Sequence, residues 1–396
     1  MTNQIFRKSI KLFFLFMAAV LFTSIAIIPG NDDLSRAKST LRQILKFYDA
    51  GHDNLLNEYY PVKPDAKVSY LEGNDTVTGT RVAYLWPTSG VFSAANALLG
   101  TTASRQYLRQ VERKILPGLE HYYDTLRKPA CYQSYITLAG KSDRYYDDNI
   151  WLALDFCELY SLSQKSVYLE KSVSIWQFVI SGWDDKLGGG IYWCEQKKQS
   201  KNTCSNAPAV VLALKLFEAT GDSVFYNRGL RIYNWTKNNL QDSTDHLYFD
   251  NINLSGKVDR RKYTYNSGQM LQASAMLYRL TGNKDYLEEA QRIAQSAINY
   301  FTEAYTTADG KNIRLFKNTG NWFNAVLLRG YAELYRIDKN DQYRSVFRDN
   351  LDQLWDHVRD KNGLFSKDWK GLKKDEYKWL LDQAGLTEMW SRLAGL

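Results

Sequence analysis

Residues 205–219, SNAPAVVLALKLFEA, decide the fold, because they read as a helix that has no continuous polar stripe. Val210, Val211, Leu212, Leu214 and Phe217 spread apolar side chains around most of the helix circumference. A helix of this kind has to be enclosed by other elements. The segment is therefore predicted to be an inner helix of an all-helical protein.

The same arrangement recurs along the chain at intervals of roughly 60 residues: an amphipathic helix, a loop, and then a helix that is apolar nearly all round. Segment 285–301 is typical of the amphipathic kind, because its apolar side chains repeat at three-four spacing. Similar segments begin near Leu34, Ser104, Gln164, Asp222 and Asn340. The apolar partners are predicted at 88–99, 143–162, 205–219, 265–280, 322–337 and 377–393.

Six outer and six inner helices predict an all-α (α/α)6 toroid of six helical hairpins. No segment alternates long enough to support a large sheet. The alternative is an open superhelix of the same hairpins, which would expose the inner helices along a concave surface. In the closed ring all inner helices run in one direction, so side chains at their N-termini would share one cavity.

Composition adds a hint about the ligand. Aromatic residues make up 14% of the 396 residues, with 28 Tyr and 11 Trp, and such rings pack well against the C–H faces of sugars. The net charge of +8 comes from Lys and Arg that are spread along the chain, which argues against nucleic-acid binding. Nothing in the sequence implies a protein partner.

The N-terminus has the pattern of a secretory signal. Arg7, Lys8 and Lys11 precede an uncharged apolar run that extends to Ile28. Residues 1–28 are therefore predicted to be a signal peptide, with an uncleaved membrane anchor as the alternative. The protein is expected to be exported to the periplasm, the cell surface or the medium.

The chain has only four cysteines and four histidines, which limits the metal sites that it could form. No Cys-x-x-Cys pair occurs, so neither a metal site nor a cofactor is expected. Cys157 lies in an apolar run and is predicted to be a buried thiol. Cys194 and Cys204 could close a short loop by a disulfide, or could remain thiols.

The adjacent carboxylates Asp147 and Asp148 are the candidate catalytic residues. Consecutive residues of a helix lie about 100° apart around its axis, which brings their carboxyl groups near each other. Repulsion between them would keep one group protonated, as acid catalysis requires. The alternative is that they only favour the helix dipole, with Arg144 as an ion partner. Their uncharged, aromatic surroundings on a buried helix favour a chemical function.

The motif Tyr146-Asp147-Asp148-Asn149-Ile150-Trp151 resembles the signature of glycoside hydrolase family 76, the endo-acting α-1,6-mannanases. Segments 188–193, 201–206 and 265–268 are also similar to that family, in the same order. The resemblance implies a single catalytic (α/α)6 domain over residues 34–396. It further implies that Asp147 is the nucleophile and Asp148 the acid/base of a retaining hydrolase that cleaves α-mannan. The chain end, 391–396, has no apolar tail, so the bacterial degradative branch is expected.

Sugar contacts are predicted for aromatic and amide side chains at the inner-helix starts and in the glycine-rich segment 188–193. Asn206 and Asn266 could bind hydroxyl groups or could cap helices. The run 188–190 is expected to let its loop approach the ligand closely, or to form a tight turn. The predicted binding residues are Tyr146, Trp151, Tyr192, Trp193, Asn206, Tyr265, Asn266 and Trp322.

Two other functions fit parts of the pattern. A sugar epimerase on the same toroid would need histidines near the inner-helix starts. The four histidines, His52, His121, His246 and His357, are instead predicted to lie on outer helices or loops. A non-catalytic glycan-binding helical-repeat protein would use the aromatic residues but would not need the acid pair.

Overall fold

A computed structural model describes residues 30–63, 82–317 and 320–396 of the chain. The predicted signal segment, residues 1–28, lies outside this described part. Among the described helices, none combines the length and the apolar character that crossing a bilayer requires. Helices dominate the described structure, and the strands are short.

In the described residues, twelve α-helical segments alternate along the chain between outer and inner positions. The outer helices are α1 (Gly30–Phe47), α3 (Arg105–Gln110, π-helical Val111–Ile115 and Leu116–Glu120), α5 (Ser166–Ser181), α7 (Ser223–Leu240), α9 (Lys284–Phe301) and α11 (Gln342–His357). The inner helices are α2 (Leu85–Thr102), α4 (Tyr146–Ser163), α6 (Thr203–Thr220), α8 (Thr264–Thr281), α10 (Asn321–Asp338) and α12 (Leu380–Ala394). The predicted segments are thus confirmed, with boundaries that differ by a few residues.

The inner helices form a closed ring. Each packs against the next inner helix along the chain, and α12 packs against α2 to complete the circle. An open superhelix would leave its first and last inner helices apart, so this contact confirms the (α/α)6 toroid. The buried side chains of the inner helices form one continuous hydrophobic core with the inward faces of the outer helices.

Close approach between α8 and α10 depends on glycine. A Cβ atom on Gly268 would lie 2.6 Å from the Cα of Leu327, and one on Gly330 would lie 2.4 Å from the carbonyl oxygen of Gly268. Real Cβ atoms do not come this close to backbone, so the two helices can touch only because both positions lack a side chain.

One end of the ring consists of tight turns. Inner helices are ended there by residues in the left-handed conformation, which are Ala103, Gln164, Gly221, Gly282 and Lys339. The next outer helix starts at once, as after Gly221, where the Asp222 carboxylate accepts a hydrogen bond from the N–H of Val224 at 2.9 Å. Each of these connections is therefore only two or three residues long.

All described strands lie at the opposite end, in the loops that lead from an outer helix into the next inner helix. Strand β1 (Tyr59–Tyr60) pairs with β9 (Lys378–Trp379), β2 (Tyr123–Asp124) with β3 (Cys131–Tyr132), and β7 (Thr302–Thr306) with β8 (Asn312–Phe316). A three-stranded antiparallel sheet has the order β4 (Ser200–Asn202), β5 (Phe249–Asn253), β6 (Val258–Lys262). The long loops therefore collect where the inner helices begin.

We expect Gly330→Ala to lower the free energy of unfolding by about 1–3 kcal/mol, because its methyl group would overlap the backbone of Gly268. The matched control is Gly100→Ala within α2, where the nearest atom to the new Cβ lies 3.5 Å away. That variant should keep or gain stability, since alanine favours a helix interior. Urea denaturation of both variants measures the difference. Equal stabilities would contradict the close contact of α8 with α10.

Candidate active site

A cavity of about 680 Å³ opens at the end of the ring where the inner helices begin. Five inner helices contribute side chains from their first turns, which confirms that these helix starts share one cavity. The side chains from the helices are Trp86, Asp147, Asp148, Trp151, Cys204, Tyr265, Trp322 and Phe323. The remaining wall comes from the loop that carries Trp193 and from the sheet β4–β6.

Asp147 and Asp148 lie side by side in the first turn of α4, and both line the cavity. Asn149 fixes this turn to strand β3. Its Nδ2 donates to the carbonyl oxygens of Tyr132 and Tyr145, both at 2.9 Å, and its Oδ1 accepts from the N–H of Tyr132 at 2.9 Å. Asp148 is buried, at 9% exposed, whereas Asp147 is partly buried and reaches further toward the open cavity.

The two carboxyl groups differ in their hydrogen bonds. Asp147 Oδ2 accepts from the indole Nε1 of Trp193 at 3.0 Å, and Asp147 Oδ1 accepts from the backbone N–H of Asp148 at 3.0 Å. The thiol of Cys204 is a further donor to Asp147. Within the described part of the chain, no donor is bonded to the carboxyl group of Asp148. Only Asp147 is therefore prepared to carry a negative charge.

The pKa shifts follow from this asymmetry. Burial raises the pKa of Asp147 to about 6, against the opposing hydrogen bonds from Cys204, Trp193 and the backbone. Burial also raises the pKa of Asp148 well above its usual range, and the charge of Asp147 raises it further. The pair therefore places its first negative charge on Asp147 and retains its proton on Asp148.

Arg144 does not pair with these aspartates. Its Nε donates to Glu195 Oε2 at 2.6 Å, its Nη1 donates to the carbonyl oxygen of Pro129 at 3.0 Å, and it lies 3.7 Å from Asp124. No salt bridge among the described residues reaches Asp147 or Asp148. A buried acid pair without a cation is costly, which favours chemistry over a role at the helix start.

Aromatic rings form another part of the wall. Trp322 makes edge contacts with Trp86 at 5.5 Å and with Trp151 at 5.0 Å between ring centroids. Tyr265 stacks on Phe323 at 4.1 Å. Rings held in this way offer flat apolar surfaces beside the acid pair, which suits the C–H faces of a sugar.

The wall formed by β5 and β6 was missed by the sequence reasoning. Asp250, Asp259 and Arg261 line the cavity there. Arg261 Nη2 lies 2.6 Å from Asp259 Oδ2 and 3.5 Å from Asp250 Oδ2. The available signal was a hairpin: two five-residue segments around the turn at Gly256, whose φ is 84°. This wall brings the guanidinium group of Arg261 to the cavity, whereas the helix starts contribute aromatic, thiol and carboxyl side chains.

Four of the predicted binding residues line the cavity: Trp151, Trp193, Tyr265 and Trp322. Their contact with a ligand stays a prediction, but they surround the acid pair as expected.

Tyr146 and Tyr192 point away from the cavity, contrary to the prediction. The Tyr146 ring stacks on Phe178 of α5 with 4.7 Å between centroids. The Tyr192 hydroxyl donates to Asp184 Oδ2 at 2.8 Å, and its ring is buried. Side chains of consecutive residues point in different directions, so both tyrosines pack into the core while their neighbours Asp147 and Trp193 face the cavity.

Asn206 and Asn266 are also buried away from the cavity wall. The Asn206 amide donates to the carbonyl oxygens of Ile191 and Asn202 and accepts from the N–H of Ile191 at 2.7 Å. Asn266 lies beside the carboxylate of Asp250. Neither side chain lines the cavity: Asn206 holds a loop, and the buried amide of Asn266 has no hydrogen-bond partner among the described residues.

For the glycine run and for the cysteine pair, the sequence left two alternatives open, and the structure favours the second of each. A Cβ on Gly189 would lie 2.4 Å from Trp183, and one on Gly190 would lie 2.6 Å from Trp235, so the run packs against indole rings and not against a ligand. All four cysteines are free thiols. Cys204 faces Asp147, whereas the Cys194 sulfur lies 3.9 Å from Gln196 Oε1, so no disulfide joins them.

The histidines lie where the sequence predicted. His52, His121 and His246 are in loops and His357 ends α11, so none of them lines the cavity. The observation that would favour an epimerase is therefore missing from this site.

Comparisons with known proteins agree with this geometry. The model of glycosyl hydrolase family 76 matches residues 34–394. Mannan endo-1,6-alpha-mannosidase DCW1 of Saccharomyces cerevisiae is 29% identical over 135 residues, which are 30% of this chain and 30% of the yeast protein. The match therefore spans less than a third of that relative.

Solved structures extend the likeness to nearly the whole chain. A family 76 mannosidase of Bacteroides thetaiotaomicron is 28% identical, with a TM-score of 0.83, over 92% of this chain and 98% of that one. An inactive variant of an α-1,6-mannanase of Salegentibacter, with two consecutive aspartates replaced by asparagine, is in complex with α-1,6-mannotriose. It is 23% identical, with a TM-score of 0.73, over 91% of this chain and 99% of that one.

The ring of six hairpins, its acid pair and the family match across residues 34–394 together confirm the resemblance: the chain belongs to glycoside hydrolase family 76.

Proposed function

We propose that this protein is an exported, retaining endo-α-1,6-mannanase in which Asp147 is the nucleophile and Asp148 the acid/base. One observation carries the proposal: two adjacent carboxyl groups, one buried and one partly buried, line an aromatic cavity, and hydrogen-bond donors converge on only one of them. Retaining glycosidases need this division between an ionised and a protonated carboxyl. The charged and apolar N-terminal stretch supports export.

In the first step, a carboxylate oxygen of Asp147 attacks the anomeric carbon of a bound mannose unit. The bond from that carbon to the glycosidic oxygen breaks, and Asp148 gives its proton to the departing oxygen. The leaving sugar departs as an alcohol, and the mannosyl unit remains as an ester of Asp147. Asp148 holds this proton because burial and the charge of Asp147 raise its pKa well above the usual range.

In the second step, water replaces the leaving sugar. Asp148, now ionised, takes a proton from the water as its oxygen attacks the anomeric carbon, and the ester bond to Asp147 breaks. Two inversions at one carbon retain the α configuration. Trp193 contributes to both steps, because its N–H stabilises the Asp147 carboxylate before attack and again as it departs.

The substrate assignment rests on relatives. The yeast relative is a mannan endo-1,6-alpha-mannosidase, and the Salegentibacter variant binds α-1,6-mannotriose. In this chain Trp86, Trp151 and Trp322 offer aromatic faces of the kind that pack against mannose rings. We infer that a run of α-1,6-linked mannose units lies across these rings and is cut within the chain.

Digestion of linear α-1,6-mannan followed by sizing of the products tests the function directly. An endo-acting enzyme should release a ladder of oligosaccharides early in the reaction, and NMR should find the newly formed reducing ends in the α configuration. Release of mannose alone would contradict endo action. Binding of α-1,6-mannotriose without any cleavage would instead favour a glycan-binding protein.

Asp147→Ala and Asp148→Ala should each lower kcat on mannan by at least about a thousandfold, because each removes a group that makes or breaks a bond. An aryl α-mannoside with a good leaving group needs no proton donor. It should therefore restore the first step in the Asp148 variant, with added azide yielding the α-mannosyl azide. Pre-steady-state release of the phenol and NMR of the azide product measure this.

The matched control is Asp143→Asn, three residues before α4, whose carboxylate pairs with Lys197 at 3.3 Å outside the cavity. It should retain activity close to that of the wild type. If the Asp147 variant, rather than the Asp148 variant, gave the α-azide, the two roles would have to be exchanged.

Trp193→Phe should move the acidic limb of the kcat/KM profile to higher pH by about one unit, since a hydrogen bond to a charged group contributes about 1.5 kcal/mol. The indole N–H stabilises ionised Asp147, so its loss raises the pKa of the nucleophile above about 6. Trp151→Phe also removes an indole from the cavity but no donor to Asp147. Trp151→Phe should therefore raise KM and leave the acidic limb of the kcat/KM profile at the pH of the wild type. Profiles that coincide for Trp193→Phe and the wild type would argue against Trp193 as a donor to Asp147.

A further inference from the structure

The side chain of Lys201, in strand β4, is completely buried. Its ammonium Nζ lies 2.6 Å from Asp184 Oδ1, 3.1 Å from the carbonyl oxygen of Asp184 and 2.6 Å from that of Lys186, and it also donates to the carbonyl oxygen of Gly189. Burying an ammonium group is costly unless it is fully paired. This one is surrounded by oxygen atoms, as a bound cation would be.

The oxygen atoms come from one strained loop. Leu187, Gly188, Gly189 and Gly190 are four consecutive residues with positive φ, at 57°, 73°, 134° and 91°. Leucine at positive φ costs of order 1 kcal/mol, and such a conformation persists only when its surroundings enforce it. The ammonium group of Lys201 enforces it here, because it draws three carbonyl oxygens of the loop toward one point.

The loop leads directly to the nucleophile. Tyr192 follows the glycine run, forms a β-bridge with Lys201 and donates its hydroxyl to Asp184. The backbone carbonyl oxygen of the next residue, Trp193, accepts a hydrogen bond from the N–H of Tyr146 at 2.9 Å. The indole N–H of Trp193 donates to Asp147. The position of the indole therefore depends on the loop that Lys201 holds.

We propose that Lys201 is a positioning residue of the active site, an internal cation that organises loop 182–192 and thereby aims the Trp193 indole N–H at Asp147. Lys201 touches neither the cavity nor the acid pair and acts only through Trp193. The inference rests on the proposed function for its kinetic readout, but the geometry that it explains does not depend on the substrate.

Lys201→Met removes the ammonium group and its charge, and leaves an unbranched side chain that is one heavy atom shorter. If Lys201 acts through Trp193, the acidic limb of the pH profile of kcat/KM on mannan should move to higher pH. The shift should be no larger than the one caused by Trp193→Phe. The double variant Lys201→Met/Trp193→Phe should shift no further than Trp193→Phe alone, because the two substitutions remove the same hydrogen bond. Additive shifts would overturn the proposal.

Lys171→Met is the matched control. Lys171, on α5, has a side chain that is 20% exposed; it pairs with Glu120 at 3.2 Å and lies over the Tyr123 ring, away from the cavity. Its variant should leave the acidic limb unchanged. A Lys201→Met protein with lowered thermal stability but an unshifted limb would show that Lys201 is only structural, and would overturn the proposal.

Two further measurements keep the proposal testable. Asp184→Asn, at a side chain that is 38% exposed, should cause a smaller shift in the same direction if Lys201→Met does not fold. The carboxyl ¹³C titration of Asp147, assigned with Asp147→Asn, follows the same group without turnover. An inactive wild type would contradict the proposed function, whereas an Asp147 titration identical in wild type and Lys201→Met would contradict only the role of Lys201.

Discussion

Backbone contact between the inner helices is the constraint on which the rest of this protein depends. Where α8 meets α10, Gly268 and Gly330 let the chains touch without intervening side chains, and Gly385 of α12 lies similarly close to the backbone of Trp322 in α10. At one end of this ring the first turns of five inner helices converge. The cavity is the space that remains where they converge.

That convergence explains why two aspartates can be held together at all. Like charges at neighbouring positions repel, and in solution the pair would turn apart or bind a cation. Here α4 is fixed on both sides, Asn149 ties its first turn to β3, and Trp193 and Cys204 approach Asp147 from other elements. The packing imposes the proximity, and the donors decide which group is charged.

Much of this was readable in the sequence. Periodicity predicted all twelve helices, because an enclosed helix and a half-exposed helix differ in how far their apolar side chains spread around the axis. The acid pair was found for a related reason: charge in an apolar helix start is unexpected unless it is used. Trp151 and Trp322 were predicted as aromatic side chains at inner-helix starts, and both lie on the cavity wall.

The directions of individual side chains and the pairing of distant strands could not be predicted from the sequence. Tyr146 and Asn206 lie at helix starts as predicted, yet their side chains turn toward α5 and toward Ile191, which a periodic pattern cannot reveal. The wall with Asp250 and Arg261 exists because β4 pairs with a strand about fifty residues later in the chain, and no local signal specifies that partner. Lys201 looks like an ordinary strand lysine until the loop around it is seen.

The contrast between the two ends of the ring has a consequence for how such proteins diverge. At one end, connections of two or three residues fix the register of each hairpin, so an inserted residue there would rotate an entire helix against its neighbours. At the other end, loops of different lengths carry Trp193 and Arg261, and these loops do not set the register of the helices. Insertions and deletions can accumulate there and remodel ligand preference while the scaffold and its acid pair are inherited unchanged.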